Sequence, residues 1–229
     1  MTANLDRNLG RLMDALDTAG IADDTVLVFT SDHGEMFGSH GRRAKNIFYD
    51  EAARVPFLVR YHRKIKPGTV SDACLNAVDI MPTLLGLCGL HDKTPKEVEG
   101  TDLSHLAMAR KGPEPDAALL MNTGACASWE DGHEWRALRD KRFTYAVYRG
   151  GDKLPRKELL FDNVSDPYQT NNLIDDPEHK KTADRFREML KDRMMKLNDT
   201  FPASSWYRDH WVTKDRIIIA SARGEFAGE

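Results

Sequence analysis

Apolar positions near the start of the chain recur as Leu5, Leu9, Leu12, Met13 and Leu16, a spacing that lays one stripe along an amphipathic helix. Gly20 supplies its stop. After the polar turn Ala22-Asp23-Asp24 comes Thr25-Val26-Leu27-Val28-Phe29-Thr30, an unbroken apolar and β-branched run. Such a run predicts a strand buried on both faces, as in a parallel sheet between helices. Val55–Tyr61 reads as the next strand, with Pro56 tolerable only at its start. Residues 79–87 read as a helix, with Asp79 as N-cap, Pro82 in the first turn and Gly89 after its end.

Residues 91–117 are irregular and rich in Pro and Lys, a connecting segment. Beyond it the pattern changes. Trp135–Arg139 and Phe143–Tyr148 flank the turn Asp140-Lys141-Arg142 and predict antiparallel strands, with Leu159–Asp162 as a third. Ser165-Asp166-Pro167-Tyr168 is a turn by composition. A long helix after Asp176-Pro177 aligns Ala183, Phe186, Leu190 and Leu197 on one face. The stretch holding Trp206, Trp211 and Ile217–Ile219 gives no periodic reading. The expected organisation is therefore an α/β unit over residues 1–117 and an α+β subdomain over 118–229.

Composition narrows the function classes. The chain has 229 residues, 41% of them hydrophobic, and 33 basic against 36 acidic side chains give a net charge of −3. That balance offers no bulk attraction to nucleic acid or to an anionic membrane. No apolar run approaches the ~20 residues of a membrane helix. Cys74, Cys88 and Cys126 are too few and too scattered for a disulfide framework and read as reduced, structural thiols, with one disulfide plus a free thiol as the alternative. The N-terminal residues lack the charged and apolar regions of a signal peptide, so the chain as it stands reads as cytoplasmic.

Chemistry concentrates in residues 31–45, beginning where the first buried strand ends. Ligands of α/β sheets bind beyond those strand ends. There Asp32 and His33 place a carboxylate beside an imidazole, and Gly34 allows close backbone approach, which suits half of a divalent-metal site. Asp-His can equally cap a turn. Lys45 offers a cation to an anionic substrate or a leaving oxygen, or is a solvated charge. His40 by itself fits a loop-ordering role better than ligation.

The ordered set Ser31-Asp32-His33-Gly34, Gly38-Ser39-His40-Gly41, Lys45, Tyr49, Asp50-Glu51 and Arg54-Val55-Pro56 resembles the second conserved block of the sulfatase family, in the alkaline-phosphatase-like superfamily. AVDIMPTLLGLCGL, VEGTDLSHL, WRALRDKRFTYAVY and ELLFDNVSDPYQTNNLIDDP continue the likeness to about residue 200. The resemblance implies a partial alkaline-phosphatase-like parallel sheet with flanking helices, followed by a small C-terminal antiparallel sheet and helix. It implies Asp32 and His33 as metal ligands, for calcium first and with manganese or zinc open. It implies Lys45 as a catalytic and substrate-contacting cation. His40, with Arg42-Arg43, is a local candidate to face an anionic substrate, a solvated loop being the alternative.

Sulfatases also carry a formylglycine made from the Cys or Ser of C/S-x-P-x-R, and an acidic metal-binding pair nearer the N-terminus. Neither is found here. Cys74, Cys88 and Cys126 lack the following Pro and Arg, and Ser165-Asp166-Pro167 is followed by Tyr168-Gln169. The expectation is therefore the C-terminal half of a sulfuric ester hydrolase, inactive alone and partnered by its N-terminal half. Self-association through the uncovered sheet edge is expected when that half is absent. A secreted or periplasmic parent is consistent with a leader lost with that half. A phosphonate or phosphodiester hydrolase of the same superfamily, and a non-catalytic interaction fragment, are the alternatives. The substrate in the first case is a small-molecule or sugar sulfate ester.

Overall fold

The computed structural model describes residues 2–123, 131–206, 212–213 and 216–217. The sequence positions Cys126, Trp211, Ile218 and Ile219 lie outside them. The described chain forms two compact units, one of residues up to Asp32 together with Val55–Asp116, the other of His33–Arg54 and the chain from Ala117 onward. Each unit is described by itself.

The first unit opens with helix α1, Thr2–Thr18, continues through strand β1, Leu27–Thr30, and strand β2, Phe57–Arg60, and then enters helix α3, Ala77–Leu87, and the single turn α4, Ser104–Ala107. The apolar stripe of α1 is present, yet no residue of the helix is buried, and Leu5 and Leu12 are about half exposed. The pairing of β1 with β2 is antiparallel, Leu27 opposite Arg60 and Thr30 opposite Phe57, where the apolar run led us to expect a parallel neighbour. Neither strand has a buried residue. A continuous apolar run reports that a strand prefers cover; it carries no information about the direction of its partner.

Around α3 the unit packs more tightly. The N-cap is Asn76, not Asp79. Asp79 sits at the third helical position and completes a capping box, its carboxylate accepting the Asn76 N–H at 2.8 Å. Its other oxygen accepts the Thr101 N–H at 2.7 Å, which accounts for a buried carboxylate here. Pro82 is the sixth residue of the helix rather than part of its first turn, so the Val78 carbonyl has no N–H four residues on. Gly100 closes over that carbonyl so nearly that a Cβ would lie 1.8 Å from the oxygen. Within the segment expected to be irregular, His91–Lys93 and Ser104–Ala107 form short helical turns.

The second unit is built on a four-stranded antiparallel sheet in the order β3 (Ala118–Asn122), β4 (Trp135–Arg139), β5 (Phe143–Tyr148), β6 (Lys157–Asp162). β3 is an addition to the strands read from the sequence. The two faces of the sheet carry separate cores. One holds Leu138, Tyr145, Val147 and Leu160 against Ala183, Phe186 and Leu190 of helix α5, Lys180–Lys196. Leu197 caps that helix instead of lying in its stripe. The other face holds Trp135, Ala137, Ala146, Leu159 and Phe161 against Met36, Ile47, Phe48 and Ala52. The loop rich in candidate chemistry is thus packed on the C-terminal sheet. A short antiparallel pair, β7 (Val212–Thr213) with β8 (Arg216–Ile217), completes the elements. No helix among the described residues is long and apolar enough to cross a membrane.

Charged groups reinforce this second core. Arg136, 1% exposed, donates to both carboxylate oxygens of Asp199 at 2.5 and 2.9 Å and lies over the Phe201 ring. Burial pushes the Asp199 carboxyl up, but the Arg136 hydrogen bonds and the Phe201 N–H outweigh it, leaving the group below the ordinary carboxylate range. Glu134, fully buried, accepts from the Gly132 and Ser204 N–H groups.

Candidate active site

Residues 33–54 form a compact lobe. Met36 donates to the Ala44 carbonyl at 2.9 Å and Gly38 to the Arg42 carbonyl at 2.8 Å, closing the loop on itself. Phe37, His40, Ala44 and Asn46 all adopt positive φ without being glycine. Backbone of this kind persists only where surrounding contacts enforce it, and it clusters at functional sites. Here Met36, Ile47 and Phe48 supply the enforcement, and Trp135 Nε1 donates to the Asn46 carbonyl at 3.1 Å.

The lobe returns through a one-turn helix, α2, Asp50–Ala53, which forms the floor of the site. Gly34 N donates to the Ala52 carbonyl at 2.8 Å and Glu35 N to the Glu51 carbonyl at 2.9 Å. A Cβ on Gly34 would meet the Glu51 oxygen at 1.9 Å, so only glycine allows this approach. The Glu35 carboxylate then accepts the Ala44 N–H at 2.5 Å. Two ends of one loop are thereby tied to one short helix, one directly and the other through Glu35.

That arrangement brings His33 and Lys45 together. Lys45 Nζ lies 2.7 Å from His33 Nε2, and His33 Nδ1 lies 2.7 Å from the Gly34 carbonyl. An ammonium can only donate, so Nε2 accepts and the proton of a neutral ring sits on Nδ1, facing Gly34. The lone pair on Nε2 that would hold a metal is the one Lys45 uses. Asp32, its neighbour in sequence, falls in the first unit, where it is exposed and accepts from the Ser31 hydroxyl at 3.3 Å. Among the described residues no group of three or more His, Cys, Asp or Glu is placed to hold a metal ion. One carboxylate and one imidazole suit a divalent cation in kind, but fall short of the six to eight oxygens of calcium in number.

His40 is engaged elsewhere. Its ring stacks on Tyr49 at 3.7 Å and 6°, and its Nε2 lies 3.9 Å from Glu51 Oε1. That is the loop-ordering geometry. Burial raises the Tyr49 pKa, with Arg42 opposing and Glu51 adding to the shift, so the phenol stays neutral beneath the imidazole. Sequence reasoning gave no role to Glu35 or Tyr49, and none to Gln169, whose Oε1 accepts the Asp50 N–H at 2.7 Å. Glu35 sits inside the motif already singled out; Gln169 is 119 residues from its partner and carries no local signal.

Comparison with known proteins places these observations. Residues 1–90 match the family model described as Sulfatase. An ulvan-active sulfatase of Formosa agariphila is 38% identical over 208 residues, 88% of this chain and 39% of its own length. The solved structure of BT4656 in complex with its substrate D-glucosamine-2-N,6-O-disulfate matches 87% of this chain and 40% of that one, at 27% identity and a TM-score of 0.75. The phosphonate monoester hydrolase of Agrobacterium radiobacter matches 91% and 42%, at 27% identity and a TM-score of 0.70. The chain spans about two fifths of the length of the curated relatives it matches.

Proposed function

Because this chain belongs to the sulfatase family of the alkaline-phosphatase-like superfamily, we propose that it supplies one side of a metal-dependent sulfuric ester hydrolase site. In this reading Asp32 and His33 contribute two ligands to a divalent cation, calcium first, with manganese or zinc as alternatives suited to the imidazole. Such a cation, when bound, neutralises charge on the sulfate oxygens. Lys45 faces the ester, where its ammonium donates to the sulfate or to the leaving oxygen as charge develops. Asp32 and His33 would hold such a cation, and Lys45 Nζ, 2.7 Å from His33 Nε2, would then donate to the ester instead of to the imidazole. The single observation that carries this reading is the 2.7 Å pairing of Lys45 with His33 on a glycine-tight, helix-backed loop.

The nucleophile belongs to a segment outside these 229 residues. By themselves they hold ligands and a cation and no activated Ser or Cys in the C/S-x-P-x-R setting. We propose that this chain alone does not turn over sulfate esters and that its partner is the N-terminal half of such an enzyme. The substrate class is a small-molecule or sugar sulfate ester, in keeping with the disulfated glucosamine of the solved relative. A second reading, phosphonate monoester hydrolysis, is favoured by the similarity to the Agrobacterium enzyme.

Two measurements test the proposal. Calorimetric titration of the chain with Ca2+, Mn2+ and Zn2+ is expected to give weak binding, on the order of millimolar for the incomplete site, that disappears in Asp32→Ala. Identical titrations for the two proteins would refute the ligand assignment. With a sulfatase N-terminal segment joined ahead of residue 1, hydrolysis of 4-nitrophenyl sulfate should exceed that of the matching phenylphosphonate ester. The reverse order would establish the second reading.

A further inference from the structure

Gln169 is 1% exposed, has a backbone φ of +53°, and buries an amide nitrogen that finds no hydrogen-bond partner. The unpartnered buried nitrogen costs stability that an apolar residue would avoid, and the positive φ costs stability that a glycine would avoid. The feature that offsets them is one bond, from the Asp50 N–H to Gln169 Oε1 at 2.7 Å. Asp50 opens α2, and its N–H is one of the donors that a helix start leaves without an internal partner. Tyr49, the residue before it, offers no side-chain cap. Gln169 therefore caps α2 from 119 residues away.

What α2 holds makes that cap consequential. Its Glu51 and Ala52 carbonyls accept the Glu35 and Gly34 N–H groups, and Glu35 in turn fixes Ala44, the neighbour of Lys45. Gln169 is itself rigidly presented, its N–H donating to the Asp166 carbonyl at 3.0 Å in a turn where the Asp166 carboxylate also accepts the Asn171 N–H. The Asp50 side chain is gripped separately by Arg139 at 3.2 and 3.3 Å. Arg139 thus fixes the carboxylate, whereas Gln169 fixes the backbone.

We propose that Gln169 is a positioning residue for the His33–Lys45 pair, acting through the start of α2 and the Gly34 and Glu35 backbone bonds. This deepens the proposed function, since it assigns the C-terminal turn a part in aligning the same site. The test is site-resolved amide hydrogen exchange on the full chain, with the ¹⁵N resonances of the His33 ring and Lys45 ammonium recorded alongside. In Gln169→Met, exchange at Asp50, Gly34, Glu35 and Ala44 should accelerate about tenfold, the scale of one lost buried hydrogen bond. The His33 and Lys45 resonances should move, while amides of the β4–β5 ladder keep their protection.

Gln169→Glu keeps an accepting oxygen for the Asp50 N–H and replaces the unpartnered nitrogen with a second oxygen, which at this buried position takes a proton to avoid an uncompensated charge. Its loop protection and both resonances should stay close to those of the parent. Uniform loss of protection across the second unit in Gln169→Met would show a merely structural glutamine and overturn the inference. Unchanged exchange at Gly34, Glu35 and Ala44 would overturn it too. If Gln169→Met does not fold, a loosened loop in Gln169→Glu does the same. None of these readouts needs ester turnover, so an absence of sulfatase activity would count against the functional reading and leave this one standing or falling on its own.

Discussion

The two units solve the problem of burial to very different degrees. Among the described residues, the second unit buries aromatic and aliphatic side chains on both faces of its sheet, Trp135, Phe161 and Phe48 on one, Tyr145, Phe186 and Leu160 on the other. The first unit buries little more than Pro82, Gly86, Leu87 and Leu103, beside the hydrogen-bonded Asp79, Thr83 and Ser104. Its helix α1 keeps a well-formed apolar stripe in solvent, and its two strands pair only with one another. An isolated two-stranded ribbon is marginal in water, and an exposed apolar stripe asks for cover. The difference teaches that the candidate loop takes its support from the C-terminal sheet, whereas the first unit leaves the apolar stripe of α1 and its two-stranded ribbon exposed among the described residues.

This contrast can be broken by substitution. The largest effect is expected in the α5 core, where Phe186→Ala should cost about 3–5 kcal/mol in urea unfolding of the second unit. Next comes the buried ion pair: Arg136→Met leaves Asp199 with an uncompensated charge and should cost on the order of 3 kcal/mol by the same measurement. Acid should act on the same unit. Hydrogen bonds from Arg142 hold the Asp162 carboxyl at about 2, against an ordinary 3.8. A depressed folded pKa contributes stability that is complete above the unfolded value and is lost as pH falls through the folded one. Unfolding midpoints should therefore drop between about pH 4 and pH 2, and Asp162→Asn should flatten that slope.

The smallest effect on stability is expected in the first unit. Leu12→Ser, on the exposed stripe of α1, should change unfolding free energy by less than about 0.5 kcal/mol. Sedimentation should nonetheless show self-association of the parent chain weakening in that variant. A monodisperse parent monomer would show that the stripe needs no cover and would remove the contrast between the units.

Local pattern carried much of this architecture. The stripe of α1, the β4–β5 hairpin and the face of α5 follow from periodicities of about 3.6 and 2 that no tertiary contact has to supply. Capping was legible to within a turn, since Asn76 and Asp79 both accept hydrogen bonds and only geometry tells which residue stands outside the helix. β3 is not legible because Ala118–Asn122 at a sheet edge lacks clear alternation of apolar and polar residues. The assignment of residues 33–54 to the C-terminal sheet rests on Ile47 and Phe48 meeting Trp135 and Phe161, pairings that no local window contains. In the site, the motif residues were legible as a motif. Their support by Glu35, Tyr49 and Gln169 was not, because a buried glutamine reads as an ordinary turn residue until its partner is seen.

The central claim is that Lys45, paired with His33, is the cation that meets the ester. Its most direct test is turnover of 4-nitrophenyl sulfate by the site completed with a sulfatase N-terminal segment, comparing the parent with Lys45→Ala. The account predicts that kcat falls on the order of 10²–10³-fold while urea unfolding is unchanged. A kcat equal to that of the parent would contradict it.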